Sequence, residues 1–121
     1  MKASLIPVLI ASAIAWAFLS SAAIGARHII HFGGYDYVPD TLTVQVGDTI
    51  QWLGNFSKHP LTLLEAPAGA GRFQHIDDGQ SYQYVATVAG RYHYQCDKHV
   101  DEGMEGWFTA VAGGTKMGRV P

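Results

Sequence analysis

Polar and apolar positions alternate in several short runs after residue 26. Residues 41–46 alternate strictly and are rich in β-branched side chains, which is typical of a strand with one buried face. Gly47 and Asp48 supply a turn, and residues 49–53 then resemble the returning strand of a hairpin. About seven short strands separated by turns predict an all-β, antiparallel β-sandwich. The other predicted strands cover residues 27–32, 61–65, 81–88 (returning through 91–96) and 106–111.

Residues 1–26 differ from the rest of the chain. After Lys2 no charged residue occurs in this segment, which has an apolar centre and a C-terminal end rich in serine and alanine. This is the layout of a secretory signal, with cleavage after Ala23 or Ala26. An uncharged run of about 24 residues is also long enough to be retained as a membrane anchor. Both alternatives predict an exported domain over residues 27–121.

Composition and charge narrow the class of protein. The 121 residues suit one domain, and their 48% apolar and 15% charged content is that of a globular protein. The 14 glycines fit a fold of strands and turns. A formal net charge of −2 gives no electrostatic basis for binding nucleic acid.

Cys96 is the only cysteine, so no internal disulfide can form. Taken alone, it could be a buried and unreactive thiol. However, His99 and Met104 follow it in a short loop between two predicted strands. A thiolate, an imidazole and a thioether are soft or intermediate ligands, which favour copper over magnesium, calcium or manganese. Zinc could use the same cysteine and histidine, but methionine would be an unusual ligand for it.

A trigonal copper site with a weak axial methionine needs a second histidine. His59 follows one predicted strand and opens the next, which makes it the best of the remaining candidates. His28 and His31 lie three apart on one strand and therefore on opposite faces. His75 lies beside two aspartates and is expected to be solvated. His93 faces away from the cysteine by strand alternation.

The ligand loop resembles that of plastocyanin and its relatives. In that loop Cys96 is followed by two residues and His99, then by four residues and Met104, with Gly106 shortly after. The stretch 37–52 is similar to the family's P-x-x-L-x-V-x-x-G-D-x-x-x-W pattern, and residues 89–96 resemble its strand into the cysteine. His59 stands where the family places its first copper histidine. The resemblance covers about residues 29–112.

The resemblance implies a Greek-key cupredoxin sandwich and one type 1 copper ion held by His59, Cys96, His99 and Met104. It implies a monomeric one-electron carrier whose partners are soluble or membrane-bound redox proteins, in the periplasm or outside the cell. No small-molecule substrate is expected. The main alternative is an exported copper-binding or delivery protein with the same ligands.

Catalysis is not expected. Copper oxidases and nitrite reductases usually connect their copper centres through a His-Cys-His triplet, whereas Cys96 is flanked by Gln95 and Asp97. A dinuclear copper centre would need a second cysteine. Gln95 also replaces the exposed tyrosine of plastocyanins, so a partner docking there would meet a different surface.

Two further features of the ligand segments affect the predicted chemistry. Pro60 follows the first histidine, where relatives commonly direct a backbone N–H at the cysteine sulfur, and proline has no such donor. Acidic residues surround the ligand loop, offset only by Lys98. They form either a solvated rim or a surface that steers a positively charged partner. These acidic residues are Asp97, Asp101, Glu102 and Glu105.

Overall fold

The computed structural model describes residues 25–113. This part of the chain contains eight strands and one short 3₁₀ turn. The 3₁₀ turn covers Val100–Glu102. No helix within residues 25–113 is long and apolar enough to cross a membrane. The predicted segment 1–26 lies almost wholly outside the described residues. The strands are β1 (Arg27–Gly33), β2 (Asp36–Val38), β3 (Thr41–Gln45), β4 (Thr49–Leu53), β5 (Leu61–Glu65), β6 (Ser81–Val85), β7 (Gly90–Cys96) and β8 (Glu105–Val111).

The strands form two four-stranded sheets that share one core. The first sheet has the order β2-β1-β4-β6, and the second has the order β3-β8-β7-β5. β1 pairs with β4 in parallel, and β3 pairs with β8 in parallel, whereas the other pairs are antiparallel. The predicted all-β sandwich is confirmed, but its sheets are mixed rather than purely antiparallel.

The predicted hairpin over residues 41–53 is wrong. β3 and β4 belong to different sheets, and the chain crosses between the sheets at Gly47, which has a φ of 98°. β6 and β7 also lie in different sheets, so residues 91–96 do not return alongside 81–88. Each of these strands buries one face in the shared core, and that requirement produces the same alternation with either partner. Turn residues between two strands therefore did not identify which strand pairs with which.

Aromatic side chains fill the core below the ligand loop. Tyr92 and Phe108 stack with ring centroids 4.4 Å apart, and Trp52 lies edge-on to Tyr94 at 5.2 Å. Alternation along β7 buries Tyr92, Tyr94 and Cys96 on the same face, each with no exposed surface. The cysteine is therefore the last inward residue of a rigid central strand.

Asp48 holds the opposite end of the sandwich together. Its carboxylate accepts the backbone N–H groups of Ala26 and Gln45, each at 2.9 Å, and contacts His28 Nε2 at 2.8 Å. Burial raises the pKa of Asp48, but these hydrogen bonds outweigh that effect and hold the pKa below its ordinary value. One carboxylate thus joins the start of β1 to the connection between β3 and β4.

The substitution Asp48→Ala should lower the free energy of unfolding by about 2 kcal/mol near neutral pH, because it leaves two partly buried backbone N–H groups without their acceptor. The lowered native pKa means that this contribution is present at neutral pH and is lost as the pH falls through that pKa. Urea unfolding of parent and variant should therefore show a difference that shrinks on acidification. Asp78→Ala, at an exposed loop position, is the control and should change little. Equal stability of parent and Asp48→Ala would contradict the assigned role.

Candidate metal site

Three of the predicted ligands meet at one end of the sandwich. The Nδ1 atoms of His59 and His99 lie 3.1 Å apart, and Cys96 Sγ lies 3.8 Å from the first and 3.6 Å from the second. A point equidistant from these three atoms is about 2 Å from each, close to ordinary metal–nitrogen and metal–sulfur bond lengths. The donors therefore have the spacing, as well as the chemistry, that a trigonal metal site requires.

A turn closed by Asn55 positions His59. Asn55 Oδ1 accepts the backbone N–H of Ser57 at 2.9 Å, and the Asn55 carbonyl accepts the N–H of His59 at 3.1 Å. This pattern, in which an asparagine bonds its own backbone two residues on, is a common way to fix a tight turn. It leaves His59 only 8% exposed at the start of β5. Burial lowers the pKa of His59, and nearby His99 and Lys side chains lower it further, which favours the neutral imidazole that binds metals.

The ligand loop is closed by its own backbone. The N–H of Cys96 donates to the carbonyl of Met104 at 2.9 Å, and the N–H of Met104 donates to the carbonyl of His99 at 3.2 Å. Gly103 ends the 3₁₀ turn with a φ of 83°, a conformation that glycine adopts without strain. Met104 is fully buried in this closed loop. Its role as the axial ligand stays a prediction.

Asp97 connects the ligand loop to the segment that carries His59. Its N–H donates to the carbonyl of Pro60 at 2.8 Å, and its Oδ2 accepts the Thr62 hydroxyl at 2.7 Å. The same oxygen lies 2.9 Å from Nδ1 of His75. Burial raises the pKa of Asp97, but hydrogen bonds from Thr62, His75 and a glutamine outweigh it and lower the pKa.

His75 is exposed, as its polar surroundings predicted, but it is not merely solvated. Its side chain is 56% exposed, and its ring and its backbone N–H bond Asp97 and Thr62 respectively. His75 also has a φ of 52°, in the left-handed region that few residues other than glycine enter. Its neighbours in sequence gave no sign of this contact, which depends on β5 and the ligand loop meeting in the fold.

The β1–β2 hairpin places an aromatic ring against each histidine of the site, one from the end of β1 and one from the turn. Phe32 lies edge-on to His59 with ring centroids 5.8 Å apart, and the ring of Tyr35 lies 4.7 Å from that of His99. Neither aromatic residue was predicted to belong to the site. The only signal in the sequence was a pair of aromatic residues flanking a Gly-Gly turn.

The remaining histidines lie away from the donors. His93 projects from the outer face of β7, where it stacks on Trp107 at 4.3 Å and hydrogen-bonds Glu105 at 2.8 Å. The prediction that it faces away from the cysteine is confirmed. His28 bonds Asp48 at the opposite end of the sandwich, and His31 is exposed on β1.

Comparisons with known proteins agree with this geometry. No protein-family model matches the chain. It is 31% identical over 87 residues to plastocyanin from Scenedesmus fuscus, covering 64% of this chain and 88% of that protein. It is 29% identical over 113 residues to plastocyanin from Synechococcus sp. (strain JA-2-3B'a(2-13)), covering 81% and 83% respectively.

Two solved structures have the same fold. A pseudoazurin from Sinorhizobium meliltoi superposes with a TM-score of 0.64 at 23% identity, covering 71% of this chain and 74% of that one. A mutant of amicyanin in the reduced state gives a TM-score of 0.57 at 26% identity, covering 74% and 86%.

The chain therefore belongs to the cupredoxin family of blue copper proteins. Plastocyanin, pseudoazurin and amicyanin are type 1 copper proteins that carry electrons in exported compartments, and they are not enzymes. Family membership confirms the predicted fold class, cofactor and general function. The spatial group of His59, Cys96 and His99 has the composition that such a copper ion requires.

Pro60 is expected to lower the reduction potential of this site. Among residues 25–113 no backbone N–H donates a hydrogen bond to Cys96 Sγ, and the hydrogen-bonding contacts of this sulfur are those with the two histidines. A donor to sulfur stabilises the more negative, reduced site, so Pro60→Asn should raise the potential. If the new bond favours the reduced form by about 1 kcal/mol, the rise is about 40 mV.

Voltammetry of the copper-loaded parent and variant measures this shift. Pro60→Ala supplies the same N–H with a smaller side chain, which separates the effect of the donor from that of packing at this buried position. A fall in potential in both variants would show that the hypothesis is wrong.

Proposed function

We propose that this protein is a one-electron carrier of an exported compartment, with one copper ion held by His59, Cys96, His99 and Met104. The observation that supports this ligand set most directly is the triangle of donor atoms, with edges of 3.1, 3.6 and 3.8 Å. The fully buried thioether of Met104 lies in the same closed loop and is the proposed weak axial donor.

The bound copper ion would supply a one-electron couple between Cu(I) and Cu(II). The protein contributes rigidity and exclusion of water. Cys96 and Met104 are fully buried and His59 nearly so, so solvent has little access to the donors. Backbone hydrogen bonds fix both ligand segments, and a fixed trigonal site suits both oxidation states moderately well. Little rearrangement is then needed when an electron arrives or leaves.

His99 is the donor through which we propose that electrons pass. It is the only partly exposed member of the three-donor group, whereas Cys96 and His59 are buried. A redox partner would therefore approach the end of the sandwich formed by the ligand loop and the β1–β2 turn. We propose that the protein acts there as a monomer.

We further propose that the protein is periplasmic or extracellular, and the direction of β1 indicates how the domain would be oriented if it is anchored there. β1 runs from Arg27 to Gly33, toward the site, over about 20 Å. The described chain therefore begins at the end of the sandwich away from the donors. If residues 1–26 are retained as an anchor rather than cleaved as a signal, the metal end would face away from the membrane, toward a soluble partner.

Copper addition tests the proposed ligand set. Cu(II) added to the purified protein should give the intense blue thiolate-to-copper absorption band, and Cys96→Ser should abolish it. His93→Gln is the matched control, because that histidine lies three residues from the cysteine on the opposite face, and it should leave the band unchanged. An absent band in the parent would refute the proposal. Rapid loss of bound copper to chelators without reversible redox cycling would instead favour the copper-delivery alternative.

Charge around the ligand loop favours a basic redox partner. Asp101 and Glu102 are exposed on the 3₁₀ turn next to His99, whereas Glu105 is engaged by His93. Lys58 and Lys98 keep their positive charges but lie at the His59 turn, where Lys98 donates to the carbonyl of Ser57. The exposed carboxylates of Asp101 and Glu102 would attract a positively charged surface toward the exposed donor.

Electron-transfer rates with a basic redox protein should therefore fall steeply as salt is added, because exposed charges are screened beyond about 10 Å at 0.1 M ionic strength. The double variant Asp101→Asn, Glu102→Gln should react more slowly at low salt and show a flatter salt dependence. Stopped-flow kinetics measure both, with an acidic redox protein as the control partner. A salt-independent rate for the parent would rule out steering.

A further inference from the structure

Tyr35 occupies an unusual position for a large aromatic residue. It lies in the turn between β1 and β2, directly after Gly34, whose φ of 61° closes the turn. Its side chain is 51% exposed, so burial in the core does not account for its placement. Its ring instead lies against the imidazole of His99, with centroids 4.7 Å apart and planes inclined by 44°. Within residues 25–113 this is its only ring contact.

His99 lacks the usual means of fixing a metal-binding histidine. Such a histidine normally donates its second ring nitrogen to a carboxylate or a carbonyl, which sets the orientation of the ring. Nδ1 of His99 faces the other donors, and Nε2 has no hydrogen-bond partner among the described residues. His99 is also carried by a loop, at the start of a 3₁₀ turn with no side-chain cap.

The ring of His59 has a different environment from that of His99. Its Nε2 also has no hydrogen-bond partner among residues 25–113, but its ring is buried and packs against Phe32. Phe32 is in turn packed against Phe56, with centroids 4.9 Å apart. The ring of His59 is thus held by the core, whereas the ring of His99 is partly exposed and, among the ring contacts within residues 25–113, meets only those of Tyr35 and His59.

We propose that Tyr35 is a positioning residue for His99, holding the imidazole in the orientation that directs Nδ1 at the metal. The proposal rests on the proposed function, since it treats His99 as a copper ligand. This tilted ring contact takes the place of the hydrogen bond that other metal-binding histidines make through their second nitrogen. Because the contact is made by the ring, phenylalanine should substitute for tyrosine and alanine should not.

Two variants and two measurements test the proposal. In the metal-free protein, NOEs between the imidazole protons of His99 and His59, whose ring centroids lie 4.8 Å apart, should persist in Tyr35→Phe and weaken in Tyr35→Ala. In the copper(I)-loaded protein, loss of copper to a competing chelator should be about two- to tenfold faster in Tyr35→Ala, the range expected for one aromatic pair. Tyr35→Phe should stay within about twofold of the parent.

Urea unfolding separates a positioning role for Tyr35 from a general structural role. Because Tyr35 is half exposed, urea unfolding of the metal-free protein should be nearly the same in all three proteins. Val38→Ala, at a 62% exposed position of the same hairpin, is the control and should change none of the readouts. Unchanged NOEs between His99 and His59 together with an unchanged copper-loss rate in Tyr35→Ala would overturn the proposal, as would equal losses in Tyr35→Phe and Tyr35→Ala. If the parent fails to bind copper, the proposed function fails, while the NMR result still decides whether Tyr35 orients His99.

Discussion

The pairing of β5 with β7 is the constraint on which the site depends. The donors His59 and Cys96 are 37 residues apart in the sequence, and they meet because Leu61 is the register partner of Cys96. His59, two residues before Leu61, is thereby placed beside the sulfur. A slip of one residue would turn the thiol to the outer face, because successive side chains of a strand point to opposite sides. Three aromatic residues resist such a slip, since the rings of Tyr92 and Tyr94 in β7 and of Phe108 in β8 fill inward positions with no exposed surface.

Polar contacts extend this register beyond the end of the strands. The N–H of Asp97 meets the carbonyl of Pro60, which continues the ladder by one bond past the Leu61 pair. The carboxylate of Asp97 then joins Thr62 and His75 on the outer side. The two ligand segments are thus joined on both sides of the metal position, by the donors on the inside and by this cluster on the outside. Such a double connection limits how far the donors can separate when the charge of the site changes.

The sequence was most informative where the chemistry is local. Cys96, His99 and Met104 could be recognised together because a short loop between two strands must bring its members close. His59 needed the family resemblance as well as its position, because its proximity is set by a strand pairing. The hairpin prediction was wrong for the same reason, because it also depended on strand pairing. Alternation of polar and apolar residues shows that a strand has one buried face, but it does not show which strand lies beside it. His75 and Tyr35 could not have been predicted, because each acts through a contact between segments whose approach only the tertiary fold determines.

Pro60 has two consequences that act on different properties of the site. Its ring fixes φ at the junction between His59 and β5, and its carbonyl accepts the N–H of Asp97, so both neighbours of the junction are restrained. The same residue removes a backbone donor that could have bonded the thiolate. Rigidity reduces the rearrangement that accompanies electron transfer and therefore affects its rate, whereas a missing donor changes the relative free energies of the two oxidation states and therefore the potential. On this hypothesis a single residue acts on both properties, so the rate and the potential of this protein should not be inferred from proteins that have a donor at this position.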